Sequence, residues 1–273
     1  MLADFHTHSH YSDGMLSPKE LMYHAKEIGL DIIALTDHDT IAGIKEAQEE
    51  ALKLGIKFIS GVELSTFDDE NISMHILGLD IKNLSAFDDI LLEQQMLRKE
   101  RNIKLLNLLK ADCGIDINYE DIKKECKGTI GKGNISQYLV HHGYYPTYKD
   151  ANKVVMQYKH LSCGIDVKIA INIIHKAGGL AFLAHPHSLK LDDEQIERQI
   201  VKLQSWGLDG VEYAHSYHTL EQTLLYKKIA DKYGLKLTLG SDFHGAYKES
   251  VKLAYGKSDT PLGDVSLVYL ANK

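Results

Sequence analysis

Residues 31–38 read DIIALTDH: a run of four apolar side chains, two of them β-branched, that closes on an Asp–His pair. A strand wetted on one face alternates apolar with polar residues, whereas an unbroken apolar run belongs to a strand covered on both faces, as in a parallel sheet flanked by helices. Runs of the same kind recur at LADFH (2–6), KFISGVEL (57–64), MHILGLD (74–80), LAFLAHP (180–186), DGVEYAH (209–215) and LTLGSDFH (237–244). Helical signals lie between them. Ser17, Pro18 and Glu20 form a capping box with proline at the first helical position, opening a helix that stops near Gly29. Thr40 is expected to cap a second helix, running to about Leu54 and ended by Gly55. Seven covered strands alternating with helices predict an α/β barrel, with a doubly wound open sheet as the structural rival.

The alternation breaks once. About a hundred residues of charged, helical-looking sequence separate Asp80 from Leu180, too long for one crossover and too patterned for a loop. Residues 84–165 are therefore read as a helical insertion or cap, with 1–83 and 166–273 forming the barrel.

Composition narrows the function. A chain of 273 residues with 44% hydrophobic content can bury a full core. Cys113, Cys126 and Cys163 are far apart and odd in number, which points to neither a disulfide framework nor a thiolate zinc site and fits a reducing cytoplasm. No basic leader precedes an apolar run and no membrane-length apolar stretch occurs, so no membrane partner is expected. The net charge of −7 argues against a protein that coats nucleic acid, yet it leaves room for an anionic substrate once divalent cations reverse the local field.

The 15 histidines matter for where they fall. Parallel barrels carry their chemistry at the C-terminal ends of the strands. There the sequence puts His6 and His8, then Asp37 and His38, Glu63, His75, His185 and His187, His215, and finally Asp242 and His244. Residues at i and i+2 share a strand face, so His6 with His8, and Asp242 with His244, aim into one cavity. Burying that many polar groups unpaired is costly, and metal coordination satisfies them together.

The motifs DFHTH, YSDG, LTDHDT, GVE, HILG, AHP and GSDFHG occur in order over residues 4–245, and with them the chain resembles the PHP (polymerase and histidinol phosphatase) superfamily of metal-dependent phosphoesterases. The stand-alone bacterial proteins of the nucleoside 3′,5′-bisphosphate phosphatase type resemble it most. The resemblance implies a distorted (β/α)7 barrel and three divalent ions, Mn, Zn or Fe: one on His6, His8, Glu63 and Asp242, a second sharing Glu63 and adding His75 and His185, a third on Asp13, His38 and His244. Such ions lower the pKa of a bridging water and neutralise phosphate charge, so no Ser or Cys nucleophile is required.

Around that core, Asp37 is a candidate to orient His38 or touch substrate. His215 and His218 are candidates for phosphate binding or for protonating the leaving group, with His187 a weaker one, and Asp4 is read as a buried support. In the insertion, Arg98 and Arg101 share a helix face and, with Lys132, are candidates to bind a second anionic group; a solvated helix face is the plain alternative. The sequence IGKGNIS (130–136) stands where the bisphosphate phosphatases tend to carry Arg-Pro-His. The expected partner is a small phosphorylated molecule such as a nucleoside 3′,5′-bisphosphate. The alternatives are diester cleavage of short oligonucleotides or of a cyclic sugar phosphate, and hydrolysis of histidinol phosphate.

Overall fold

The computed structural model describes residues 1–248, 250–256 and 260–273. Its sheet strands are β1 (Ala3–Asp4), β2 (Ile32–Leu35), β3 (Lys57–Phe67), β4 (Ser73–Leu79), β5 (Ile165–Asp166), β6 (Leu180–Leu183), β7 (Gly210–His215) and β8 (Lys236–Gly240). They pair in the order β1-β2-β3-β4-β6-β7-β8, with β5 attached to the end of β3. The two ends of that order meet: the Phe5 amide donates to the Leu239 carbonyl at 3.1 Å, the Asp242 amide to His6 at 2.9 Å, and the His8 amide to Phe243 at 2.9 Å. The sheet thus closes into a barrel and the open-sheet rival falls away.

One strand departs from the parallel expectation. β4 runs antiparallel to both β3 and β6. The five residues 68–72 that join β3 to β4 are enough for a hairpin and far too few for a parallel crossover. The reversal has a consequence for the site, because the beginning of β4, where His75 lies, sits at the same barrel end as the finishing ends of the parallel strands. The barrel is distorted at this point.

The helices follow local chemistry. In α1 (Pro18–Glu27) the Ser17 hydroxyl accepts from the Glu20 amide at 3.1 Å while the Glu20 carboxylate accepts from the Ser17 amide at 2.8 Å. The second helix starts later than Thr40. The Thr40 hydroxyl accepts from the Ala42 amide in a preceding turn, and α2 (Ile44–Leu54) begins after Gly43 and ends on left-handed Gly55. Between β4 and β5 lie α3 (Asp88–Cys113), α4 (Tyr119–Glu125), α5 (Lys132–His141) and α6 (Tyr148–Val155). α3 serves two cores. Leu91 packs with the barrel cluster, whereas Leu105 and Leu109 join Ile122, Ile135, Leu139 and Val155 in a separate one. Helices α7 (Val167–Lys176), α8 (Asp193–Ser205) and α9 (Leu220–Tyr233) complete the outer layer. Among the described residues no helix is long and apolar enough to cross a membrane.

Candidate metal centre

The strand ends converge on Glu63. Both its oxygens are fully buried and face five imidazoles: Oε1 lies 2.9 Å from His75 Nδ1 and 2.8 Å from His185 Nε2, and Oε2 lies 3.2 Å from His6 Nε2, 3.3 Å from His8 Nε2 and 2.9 Å from His38 Nδ1. His8 Nε2 is also 3.1 Å from Asp242 Oδ1. Asp13 Oδ1 is 3.1 Å from His244 Nε2 and 3.8 Å from His38 Nε2.

Hydrogen bonding accounts for only part of this, the pairing of Glu63 Oε1 with His75 Nδ1 and His185 Nε2. His6 Nε2, His8 Nε2, His38 Nδ1, Asp13 Oδ1 and Glu63 Oε2 are all buried without a hydrogen-bond partner. Donor atoms about 2.1 Å from one cation, at tetrahedral to octahedral angles, stand roughly 3.0–3.4 Å from each other. The spacings therefore suit divalent ions, and coordination to a metal is one way such buried nitrogens and oxygens are satisfied. Three groupings of this kind overlap: His6, His8, Glu63 and Asp242; His38, Glu63 and His75; and His8, Asp13, His38 and His244.

The electrostatics run the same way. Burial alone would raise the Asp13, Glu63 and Asp242 carboxyls, yet the groups facing them hold all three well below the usual range: His244 and His38 for Asp13, His38, His6 and His75 for Glu63, Lys248 and His244 for Asp242. Around His6, burial opposes charge, but Glu63 and Glu212 outweigh it and raise the imidazole well above its ordinary value. Carboxylates kept ionised in a dry pocket make it receptive to positive charge.

A supporting layer orients these groups. His6 Nδ1 pairs with Glu212 Oε1 at 2.9 Å, which leaves Nε2 as the inward atom, and Glu212 Oε2 also accepts the His185 amide. Gly240 makes room for this pair, since a Cβ there would lie 2.1 Å from His6 Cβ. Asp4 accepts from the Ser241 amide and hydroxyl and from the amides of His6 and Ala254, and burial pushes its carboxyl up to about 6. Left-handed backbone at the non-glycine residues Asp39, His185 and Asp242 concentrates strain here, at roughly 1–3 kcal/mol each.

Several expected roles change. Asp37 is engaged with the turn that carries Asp13: it accepts from the Ser9 amide at 2.7 Å, the Ser9 hydroxyl at 2.6 Å and the Ser12 hydroxyl at 2.6 Å, and its side chain makes no hydrogen bond to His38 among the described residues. Arg98 and Arg101 are both buried, so the helix face is not solvated. Arg98 is committed to Asp39, with Nε donating to Oδ2 at 2.6 Å and Nη2 to the Ser65 hydroxyl at 2.9 Å, and is therefore a brace rather than a free anion receptor. Arg101 keeps a buried Nε without a partner, and burial pulls its guanidinium down to about 10. Lys132 lies close by; burial first, then Arg101 and Arg98, pull its ammonium down to about 8. The GKG sequence in this region is a packing requirement, because a Cβ on Gly133 would stand 2.6 Å from Asp13 Oδ2.

His215, His218 and His187 form a second group beside the first, with His215 Nε2 4.0 Å from Asp242 Oδ2. Burial holds His215 well below its ordinary value and pushes His218 down to about 3. His141 and His142 pair with Glu125 on the surface, and His175 pairs with Asp209. Sequence reasoning missed Glu212, Asp39 and Lys248, whose Nζ lies 2.7 Å from Asp242 Oδ2. Glu212 sits inside an apolar strand, where a carboxylate is itself a signal; the lysine, six residues past its partner on a turn, carries none.

Residues 4–256 match the PHP domain family model. The chain belongs to the PHP-domain family. The PHP-domain chain is 36% identical over 251 residues to a 5′-3′ exoribonuclease of Haemophilus influenzae, covering 88% of this chain and 89% of that one. It is 32% identical over 253 residues to a 3′,5′-nucleoside bisphosphate phosphatase of Chromobacterium violaceum, covering 88% and 86%. A solved structure from Bifidobacterium adolescentis, described as a metal-dependent phosphoesterase, superposes with a TM-score of 0.82 at 29% identity, covering 94% of this chain and 92% of that one. This PHP-domain protein is a metal-dependent phosphoesterase.

Proposed function

We propose that the protein hydrolyses a phosphoester of a small nucleotide that carries a second anionic group, a nucleoside 3′,5′-bisphosphate being the model substrate. The observation that carries this is Glu63, buried between five imidazoles, together with Arg101 and Lys132, which lie near one another and, among the described residues, form no ion pair with a carboxylate.

In this reading His6, His8, Glu63 and Asp242 hold one divalent ion, Glu63, His75 and His185 a second, and Asp13, His38 and His244 a third. Mixed nitrogen and oxygen donors suit Mn²⁺, Zn²⁺ or Fe²⁺. Six neutral imidazoles and three carboxylates around three such ions leave a surplus of about three positive charges, enough for a phosphate dianion and a hydroxide. The ions supply Lewis acidity and a nucleophilic water at neutral pH. The chain supplies the rest: Glu212 orients His6, Asp37 holds the Asp13 turn, His215 and His218 face the leaving group, and Arg101 with Lys132 binds the second anion. Residues 84–165 act as the cap that carries those two cations, and the three free cysteines fit a reducing cytoplasm.

A second reading has support of its own. The likeness to the exoribonuclease is closer in identity than that to the bisphosphate phosphatase. The 5′ end of an RNA and a 3′,5′-bisphosphate present the same pair of groups, a 5′ anion and a 3′ phosphoryl, so the same pockets would accept a short oligonucleotide as a diester. A panel of 3′,5′-bisphosphates, 5′-phosphorylated oligoribonucleotides, cyclic ribose phosphates and histidinol phosphate, assayed with Mn²⁺, decides between them. Activity confined to histidinol phosphate would refute both.

A further inference from the structure

His215 ends β7 and His218 lies in the turn before α9, and the backbone fixes a different tautomer in each ring. His218 Nδ1 lies 3.1 Å from the Tyr213 carbonyl oxygen, which only accepts, so Nδ1 carries the proton and Nε2 presents a lone pair. His215 is the reverse: its Nδ1 accepts the Tyr217 amide at 3.1 Å, so the neutral ring carries its proton on Nε2. Both Nε2 atoms are buried without a hydrogen-bond partner, in residues that are 4% and 8% exposed.

A buried donor and a buried acceptor within one group of neighbouring histidines are a poor set for a metal, since every ligand must offer a lone pair and His215 Nε2 offers N–H. They complement a hydroxyl, which accepts from one and donates to the other. Room exists for the molecule that bears it. His215 and His218 line, with Tyr213, Thr219, Thr223 and Asp264, a cavity of about 570 Å³, the size of small-ligand sites. The 4.0 Å between His215 Nε2 and Asp242 Oδ2 sets the pair beside the candidate metal centre.

We propose that His215 and His218 together read a hydroxyl vicinal to the ester oxygen, so that the leaving group is a ribose-type cis-diol rather than a deoxyribose. This rests on the phosphoesterase reading above. Burial keeps His218 an acceptor across the neutral range. A substrate lacking the hydroxyl leaves a donor and an acceptor unpaired in a dry site, which favours the ribonucleotide by roughly tenfold to a hundredfold.

The test compares adenosine 3′,5′-bisphosphate with its 2′-deoxy counterpart in kcat/KM on the Mn²⁺-loaded enzyme, alongside calorimetric binding of the two 5′-monophosphates. The ribo form is expected to win in both. In His218→Phe, which keeps a ring against Tyr226 but loses the acceptor, the ratio should fall toward one. Equal treatment of the two sugars by the wild type in binding would overturn the inference, as would a ratio that survives in the variant. A fourth equivalent of Zn²⁺ bound by the wild type and lost from the variant would overturn it too. If the wild type hydrolysed neither bisphosphate, the substrate reading of the preceding section would fail, and the calorimetric pair would still decide this one.

Discussion

Arg98 and Arg101 sit one turn apart on α3 with opposite roles, and replacing each by methionine separates them. Asp39 is fully buried and takes the Arg98 guanidinium on Oδ2, while its Oδ1 accepts from the Ser65 amide at 2.8 Å and Gln94 at 3.2 Å. Removing Arg98 leaves that carboxylate buried and short of its cation, a change that typically costs about 3–5 kcal/mol. For a chain of this size that corresponds to a fall in Tm of roughly 6–20 °C. Arg101 forms no ion pair with a carboxylate among the described residues, and burial and Arg98 weigh against its charge more than the nearby Asp39 and Asp13 favour it, so Arg101→Met should stay within about 1 kcal/mol of wild type in stability. Its loss should appear in recognition. A charge-assisted contact to phosphate is worth about 1.5–3 kcal/mol, so kcat/KM on a bisphosphate should drop roughly tenfold to a hundredfold. Urea unfolding of the metal-free proteins reads the first quantity and steady-state kinetics the second. An Arg98→Met variant as stable as wild type, or an Arg101→Met variant that unfolds as easily as Arg98→Met, would refute the assignment of brace and receptor.

Other expectations follow from the cluster itself. Glu63→Gln and Asp242→Asn should lower metal content and activity together, as measured by elemental analysis of the purified proteins; undiminished stoichiometry in both would remove the proposed ligand sets. Asp13→Ala should fold and retain about two ions, since the groups on Glu63 remain, and full metal content at full activity would show that Asp13 is no ligand. For Asp4, raised to about 6 from 3.8, the sign is that of a buried acid: the folded state holds a proton that the unfolded chain has released, so this group's contribution falls as pH rises from about 4 to 6. Asp4→Asn lacks that loss, and its stability relative to wild type should grow across the window by an amount on the order of 3 kcal/mol, read by denaturation at each pH. A flat difference would mean that Asp4 is already ionised when folded.

What the sequence made legible was whatever depends on one element at a time. Each candidate ligand belongs to a visible motif, at a strand end or, for Asp13, on the turn after β1, and the helix starting at Ser17 declares its cap within four residues. Relations between elements were harder to read. The reversal of β4 hangs on the short link 68–72 and not on the apolar run itself, which looks alike in either direction. Asp37 and Asp39 flank His38 with the same side chain, yet one holds Ser9 and Ser12 and the other holds Arg98, partners 25 to 59 residues distant in the chain. No spacing rule separates two such carboxylates. Arg98 likewise reads as a helix-surface cation until β3 and the residues after β2 are brought against it.

The same kind of contact links α5 to the turn of Asp13 and yields the sharpest structural test. Gly133 lies in the first turn of α5, where alanine would ordinarily be favoured by about 0.5–1 kcal/mol because it restricts the unfolded chain and suits a helix. Here the added Cβ would meet Asp13 Oδ2 at 2.6 Å, closer than a methyl group tolerates, and Asp13 Cβ at 3.1 Å, a tight contact that requires the neighbour to give. Asp13 cannot retreat freely, because Asn134 and Gln137 of α5 donate to the Ser12 and Asp13 carbonyls and Asp37 holds the turn from the other side. The start of α5 must therefore lift away, carrying Lys132 with it and loosening Asp13 against His244. Gly133→Ala should weaken binding of the ion at Asp13 and weaken recognition of the second anion at once, two losses that substitution of Asp13 or Lys132 alone would keep apart. Metal titration and kcat/KM on a bisphosphate measure them independently. A variant that gains helix stability with both quantities unchanged would mean that α5 does not set the position of the Asp13 turn, and that cap and metal centre are built independently.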